Sequence, residues 1–396
     1  MIPIESIWAE IDLEAIAHNV RQLKTILTPP AKFMAVVKAN GYGHGTAAVA
    51  SKAIEAGADM LGVARIAEAI ALRQAGISHP ILVFGPPPPE RIAEIAAYDL
   101  IQSVGTFAFA RMMSDHAQLT GRSITIHIKV DTGMGRLGVL PAPVRFSALG
   151  KQLGGAAVRE VESICHLPGL IAEGIYTHFA NADDPDLDFA HDQLSRFLDF
   201  IQTLKHRGMH FPIRHAANSA GILRLPESHL DLVRAGIALY GYHPSADTHR
   251  PDVDLKPALS WKSRIVHIKN VPKDFSVSYG RTYRTPTPTR IATIAAGYAD
   301  GLSRSLSSNG EVLIRGMRAP IVGRVCMDLT MVDVGHIPEA AVNDEVVLIG
   351  KQGDTQITAD DLAARQHTIS YEILTSIGQR VPRLYFSADR DGRRTV

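Results

Sequence analysis

Eight short apolar runs, separated by longer stretches with apolar residues at helical spacing, fill roughly the first 240 residues of this 396-residue chain. The runs are Phe33–Val37, Met60–Ala64, Ile81–Phe84, Leu100–Val104, Ile124–Val130, Ile171–Thr177, Ile213–Ala217, and Leu232–Arg234 continuing to Tyr240. Most are continuously apolar, as expected for strands of a parallel sheet covered on both faces. Segments such as Gly45–Ala56, Ile66–Ala75 and Gln193–Arg207 between them read as helices. The pattern predicts an α/β fold with a (β/α)₈ (TIM) barrel, and a doubly wound open sheet is the alternative. A first helix, Leu13–Leu27, is expected to be capped by Asp12 and to stop before Pro29-Pro30.

The texture changes after Tyr242-His-Pro. The loop Pro244–Pro257 is rich in Pro, Asp and His and marks a domain boundary, dividing the chain into 1–244 and 245–396. Beyond it Leu259–Val271, Arg290–Ala296, Val312–Val334 and Val346–Ile349 are β-rich, predicting a smaller, mainly-β C-terminal domain. Short helices are expected at Ala359–Arg365, capped by Thr358, and at Ser370–Ile377. Pro86–Pro89 reads as a stiff surface loop.

Composition excludes several classes. The 41 basic and 40 acidic side chains give a net charge of +1, far from the field that nucleic acid or an anionic membrane surface requires. No apolar run approaches the ~18 residues of a membrane helix. Cys165 and Cys326 allow at most one disulfide, which fits a reducing compartment. Met1-Ile-Pro-Ile-Glu-Ser is no secretory signal, so a cytoplasmic location is expected. No metal-ligand spacing is present.

Chemistry is concentrated at predicted strand ends. In Ala35-Val-Val-Lys-Ala-Asn-Gly-Tyr-Gly-His-Gly45 an apolar strand runs into Lys38 and then meets three alternate glycines. An amine desolvated at such a place loses proton affinity and becomes a base or a carbonyl-directed nucleophile. Glycines there let the backbone approach a ligand closely. The plainer alternative is a lysine reaching solvent beside a tight turn.

Gly133-Met-Gly-Arg-Leu-Gly138 is a literal G-x-G-x-x-G after a strand, with Glu160 some 20 residues later, as a dinucleotide fold requires. Pro141 and Pro143 would fall in the first turns of the helix that motif needs, and the unit is fifth in the chain rather than first. The segment is therefore read as an active-site loop carrying Arg136, with Lys129 and Asp131 at the strand end. Arg136 suits a substrate carboxylate through its planar fork.

Strand six ends at His178 and strand seven at Asn218-Ser219, small polar groups suited to a phosphate or a helix cap. Arg234 lies inside an apolar run and needs partners, because an unpaired buried charge is costly. The amides of Gly236 and Ile237 after it are placed to cradle phosphate. Lys38, Arg136, His178, Ser219 and Arg234 thus all fall at or just beyond strand C-termini, where barrel active sites form. In the second half Ser276–Tyr283, Gly323–Asp328 and Ser370-Tyr-Glu-Ile stand out, each readable as β-domain core or turn.

Taken together, the Lys38 segment, Lys129–Gly138, Tyr176–Phe179, Ala217–Ala220, Arg234–Tyr242, Ser278–Tyr283, Ala296–Gly301 and Arg324–Asp328 resemble the alanine racemase family of pyridoxal 5′-phosphate (PLP) enzymes across essentially the whole chain. The resemblance implies a homodimer with shared active sites that interconverts L- and D-alanine and supplies D-alanine for peptidoglycan. Lys38 would carry PLP as a Schiff base and serve the D-enantiomer. Tyr279 of the partner subunit would serve the L-enantiomer from the opposite face. Tyr42, Ser219, Tyr371 and the Gly236 and Ile237 amides would hold the phosphate, with Asn218 beside them. Arg234 would face the pyridine nitrogen, keeping it unprotonated, with His178 hydrogen-bonded nearby. Arg136 would meet the cofactor phenol and the substrate carboxylate, and Met327 and Tyr298 would line the entrance and the small substrate pocket. Lys129 matches a lysine that is carbamylated in some members. Ala235 departs from the proline common in the family, which affects loop stiffness rather than chemistry. A serine racemase of broader specificity, a decarboxylase of the same architecture, a non-catalytic PLP carrier and a NAD-dependent dehydrogenase are the rival readings. The second domain and Tyr279 argue against the carrier.

Overall fold

The structure, a computed structural model, describes residues 5–141, 148–388 and 394–395. Two compact units are present. One comprises Ile16–Gly41 and Thr46–Lys256, and the other Met1–Ala15, Tyr42–Gly45 and Pro257–Val396. The division expected from the sequence, at 244/245, thus differs at the N-terminal strand, at Tyr42–Gly45 and in the linker.

The larger unit holds eight parallel strands: β2 (Lys32–Val36), β3 (Met60–Val63), β4 (Ile81–Val83), β5 (Ile101–Val104), β6 (Ile124–Lys129), β7 (Leu170–Tyr176), β8 (Ile213–His215) and β9 (Leu232–Ala235). They pair in the order β8-β7-β6-β5-β4-β3-β2-β9. The two ends of that path are joined by backbone hydrogen bonds, Asp231 N to Arg214 O and Arg234 N to Ala217 O, both 3.0 Å, so the sheet closes into a barrel. β3 and β4 are short and buried along their whole length, which is why they read as unbroken apolar runs. Helices lie between them, including Thr46–Glu55, Ile66–Gln74, Phe107–Thr120 and Asp188–His206. Thr106 caps the helix at Phe107 by accepting from Phe109 N at 3.3 Å.

One strand is shorter than expected. The run continuing from Leu232 to Tyr240 leaves the sheet at Ala235, and Ile237–Tyr240 forms a 3-10 turn. The Gly236 amide donates to Ser219 Oγ at 2.9 Å instead of to a neighbouring strand. Pro143 lies outside the described residues.

In the smaller unit β1 (Ile7–Asp12) pairs antiparallel with β10 (Leu259–Val271) and parallel with Arg383–Ala388. Asp12 Oδ1 accepts from Ala15 N at 3.1 Å and caps the first helix, as expected. The run Val312–Val334 resolves into a hairpin, Glu311–Ile314 with Met317–Pro320, and a separate strand Thr330–Asp333. Arg315 and Gly316 turn the hairpin, both at positive φ, as a tight two-residue turn demands. Thr358 caps Ala359–Gln366 as expected, accepting from Asp361 N at 3.0 Å.

The barrel seam carries a fork. Arg214 donates to both oxygens of Asp231, at 2.7 and 3.1 Å, and Asp231 Oδ2 also accepts the Arg214 amide at 2.8 Å. Asp231→Ala is expected to lower the unfolding free energy by about 1–2 kcal/mol, since three charge-assisted bonds are lost from a partly exposed pair. Urea titration measures this, and a change within error would contradict a role for the fork in closure.

Candidate active site

The chain leaves β2 at Lys38 in a left-handed turn, with φ of 53°, 54°, 57° and 50° at Ala39, Asn40, Gly41 and Tyr42. For residues with a Cβ this conformation costs roughly 1–2 kcal/mol each. Glu68 helps hold it. Its Oε1 accepts from Ala39 N at 2.6 Å, and its Oε2 accepts from Ala64 N and Arg65 N, both at 2.9 Å. Burial lowers the proton affinity of the Lys38 amine. The charge of Arg136 lowers it further, and Glu68 partly opposes both. The outcome is an amine shifted toward its neutral, nucleophilic form.

Two of the alternate glycines are fixed by close packing. A Cβ on Gly43 would stand 2.1 Å from Leu374 O, and one on Gly45 1.9 Å from the Tyr385 hydroxyl. Neighbours within the same unit, a backbone carbonyl and a phenol, thus leave no room for a side chain at either position.

Arg234 is the centre of the larger unit's polar interior. Its guanidinium donates to His215 Nδ1 at 2.9 Å, to Thr177 O and Ala216 O at 2.9 Å each, and to His178 Nδ1 at 3.3 Å. Burial lowers its pKa to about 10, which leaves it charged at neutral pH. Tyr176 forms a platform beneath. Its ring stacks on His215 at 4.6 Å and 7°, with Arg234 Cζ 5.4 Å and Lys129 Nζ 5.0 Å from its centroid. Its hydroxyl hydrogen-bonds Ser103 Oγ at 2.7 Å. That contact joins β7 to β5 across an intervening strand, which places the cluster inside the barrel.

Burial comes first in the electrostatics, and crowding of like charge adds to it. Lys129 is pulled down to about 7 by burial and then by Arg234, with Asp131 opposing. Burial, then Arg234, Lys129, Arg136 and Lys38, hold His178 well below its ordinary range, so its imidazole is neutral. Because arginine only donates, His178 Nδ1 is the acceptor and Nε2 bears the proton. The region is a trap for an anion.

No helix starts at Gly133–Gly138. The segment loops back, and Val139 exchanges backbone hydrogen bonds of 2.8 Å with Lys129 and Asp131. The Asp131 carboxylate organises it, accepting from the Gly133, Gly135 and Arg136 amides at 3.0 Å each. Arg136 is exposed on this loop. Glu160, the acidic partner a dinucleotide site would use, instead accepts from Phe107 N at 3.0 Å.

Asn218, not Ser219, caps the helix Ser219–Arg224, accepting from Gly221 N at 2.9 Å. Ser219 Oγ accepts from the Gly236 and Ala238 amides at 2.9 and 3.3 Å. With those two amides donating to Ser219 Oγ, the Ser219 hydroxyl proton is what this group has left to donate beyond the ends of β8 and β9.

In the smaller unit, the Tyr42 and Tyr371 rings lie 6.1 Å apart. Burial pushes the Tyr42 phenol up, so it stays protonated as a hydrogen-bond donor. Tyr298 and Met327 are brought side by side by Tyr298 N to Cys326 O and Ala299 N to Met327 O, both 3.0 Å. Arg380 braces that pair of loops through Asp300 at 2.7 Å and Asp328 at 2.8 Å. Tyr279 stands apart on a turn, 70% exposed, between Ser278 and Gly280 at φ 66° and 72°.

Sequence reading missed His127, His215, Ser103, Glu173 and Arg380. The signal for the two histidines was there, as polar residues within predicted strands. The remaining three needed geometry.

Family models described as the alanine racemase N-terminal and C-terminal domains match residues 11–244 and 258–385. An alanine racemase of Desulfosudis oleivorans is 52% identical over 380 residues, 96% of each chain. The crystal structure of alanine racemase from Bacillus anthracis with bound L-Ala-P superposes with a TM-score of 0.88 at 40% identity, covering 100% of this chain and 98% of that one. That of the Bartonella henselae enzyme, with covalently bound pyridoxal phosphate, gives 0.84 at 29% identity, covering 96% and 99%. With both halves of the barrel-plus-β architecture matched in sequence and in structure, the chain belongs to the alanine racemase family.

Proposed function

We propose that this chain racemises alanine with pyridoxal 5′-phosphate held covalently by Lys38. The observation that carries the reading is the pairing of a desolvated Lys38 amine with a buried, charged Arg234 in the same unit. The donor set fits the cofactor. An amine of lowered proton affinity suits its aldehyde, and the Ser219 hydroxyl, whose oxygen is held by the Gly236 amide and whose proton is left to donate, suits its phosphate. The Arg234 guanidinium suits an unprotonated ring nitrogen, because it donates and cannot accept. The Ile237 amide, and the Tyr42 and Tyr371 phenols, are assigned to the same phosphate, with Asn218 supporting Ser219 as helix cap. When bound, the cofactor acts as a sink for the electron pair left at the substrate Cα.

The chain's own groups do the rest. Arg136 orients the substrate carboxylate, and Met327 and Tyr298 restrict the side chain to methyl size. Lys38 moves the Cα proton on one face, and Tyr279 of the partner subunit moves it on the other, which inverts the centre. This division makes the enzyme a homodimer and accounts for an exposed tyrosine on a sharply turned loop. His178, neutral and hydrogen-bonded to Arg234, helps keep that guanidinium in place. No helix among the described residues is long and apolar enough to cross a membrane. The reading places the enzyme in the cytoplasm, making D-alanine for peptidoglycan.

Lys129 is assigned as a carbamylation site. A pKa of about 7 leaves a large neutral fraction near physiological pH, and the neutral amine is the form that attacks carbon dioxide. Carbamylation would replace one positive charge with a negative one beside Arg136 and Arg234. Protein equilibrated with ¹³C-bicarbonate should give a carbamate resonance that grows as pH rises through 7 and is absent in Lys129→Ala. Identical spectra from the two proteins would remove the assignment.

Borohydride reduction followed by peptide mapping should place the cofactor adduct on Lys38. Lys38→Ala should lose that adduct and racemisation together, and Tyr279→Phe should keep the cofactor and lose most turnover. Mixing the two inactive proteins should restore part of the activity through hybrid dimers. No recovery, with subunit exchange verified, would count against a shared site.

A further inference from the structure

Behind Arg234 a line of polar side chains crosses the barrel wall. His215 Nε2 lies 2.9 Å from His127 Nδ1, and His127 Nε2 lies 3.2 Å from Glu173 Oε2. Both histidines are buried, whereas the Glu173 side chain is 36% exposed. The direction of every hydrogen bond in this line follows from its ends. Arginine only donates, so His215 Nδ1, 2.9 Å from the guanidinium, must accept. A neutral His215 then carries its proton on Nε2 and donates to His127 Nδ1. His127 in turn carries its proton on Nε2 and donates to the Glu173 carboxylate. An imidazolium at His127 would set two N–H groups face to face. Burial, the largest influence on both, holds the two imidazoles below their ordinary range and agrees with neutral rings.

Two backbone features accommodate this line. The pairing of β6 with β7 steps from Ile126–Ala172 to His127–Gly174, so Glu173 is the extra residue of a β-bulge. A bulge re-aims a side chain that regular alternation would direct elsewhere. Gly174 then leaves room for the imidazole, since a Cβ there would lie 2.6 Å from His127 Nδ1.

We infer that Glu173 is a positioning residue that, through His127 and His215, fixes a one-way hydrogen-bond chain ending on Arg234 and so sets the orientation of that guanidinium. The consequence for catalysis rests on the assignment of Arg234 to the cofactor nitrogen; the tautomers do not. With the acceptor at Glu173 removed, the buried His127 Nε2–H loses its partner, and the reversed chain, in which His215 turns an N–H toward Arg234, is opposed at the arginine end alone.

The test is ¹⁵N NMR of the imidazole nitrogens in the holoenzyme labelled with [¹⁵N]histidine, with assignment by single histidine replacements. His127 and His215 should both be neutral Nε2–H tautomers. Glu173→Leu should mix the His127 tautomers and lower kcat about tenfold, the low end for losing a partner that orients a ligand-holding group, with KM little changed. Glu173→Gln, whose amide oxygen can accept the same N–H, should restore both. An Nδ1–H tautomer or an imidazolium at either histidine of the wild type overturns the inference, as does a Glu173→Leu protein with unchanged tautomers and kcat. Uptake of pyridoxal phosphate is measured separately. Expected tautomers in a protein that takes up none would support the chain and sink the cofactor assignment.

Discussion

A guanidinium buried in a barrel interior is the constraint around which the larger unit is arranged. Arg234 is held by two backbone carbonyls and two imidazole nitrogens. Carbonyl and imidazole lone pairs satisfy a cation's donors without cancelling its charge. The positive field therefore persists, and it acts on every neighbour. It helps depress Lys129 and His178, and it lies with Lys38 and Arg136 in one electropositive region. Burying such a charge is costly unless its donors are met. The local sequence supplies those acceptors from just beyond β7, through Thr177 and His178, and from the end of β8 and the residue after it, through His215 and Ala216.

The second constraint is conformational. Lys38 leads directly into four residues of left-handed backbone, three of them with a Cβ. Such strain persists only where the surroundings over-determine it, and it gathers at functional sites. Here the Glu68 carboxylate supplies part of that hold by binding the Ala39 amide. A loop tied in this way fixes the backbone that presents the Lys38 amine.

Much of this was legible beforehand. Strand positions were clear because strands covered on both faces must be apolar throughout, and all eight appear within a few residues of their expected places. The strand ending in Leu232–Ala235 was overextended because apolarity continues to Tyr240 while the hydrogen bonding does not: the Gly236 amide turns to Ser219. The joining of Ile7–Asp12 to the β-rich unit was not legible. A six-residue strand looks the same whichever sheet it joins, and only pairing with Leu259–Val271 reveals its place. Lys38, Arg136, His178, Ser219 and Arg234 were singled out because the sequence puts them at strand ends, where barrel sites form. Glu173 was missed because its direction depends on a bulge.

By itself the sequence determined the alternation of strand and helix, the apolar interior and the kinds of reactive group available, since these follow from periodicity and side-chain chemistry. The tertiary structure alone decided proton affinities, tautomers and which glycines are obligatory. Desolvation, charge crowding and backbone approach arise between residues far apart in the chain, as between His127 and His215 or Gly43 and Leu374. No local pattern records a distance that only folding creates.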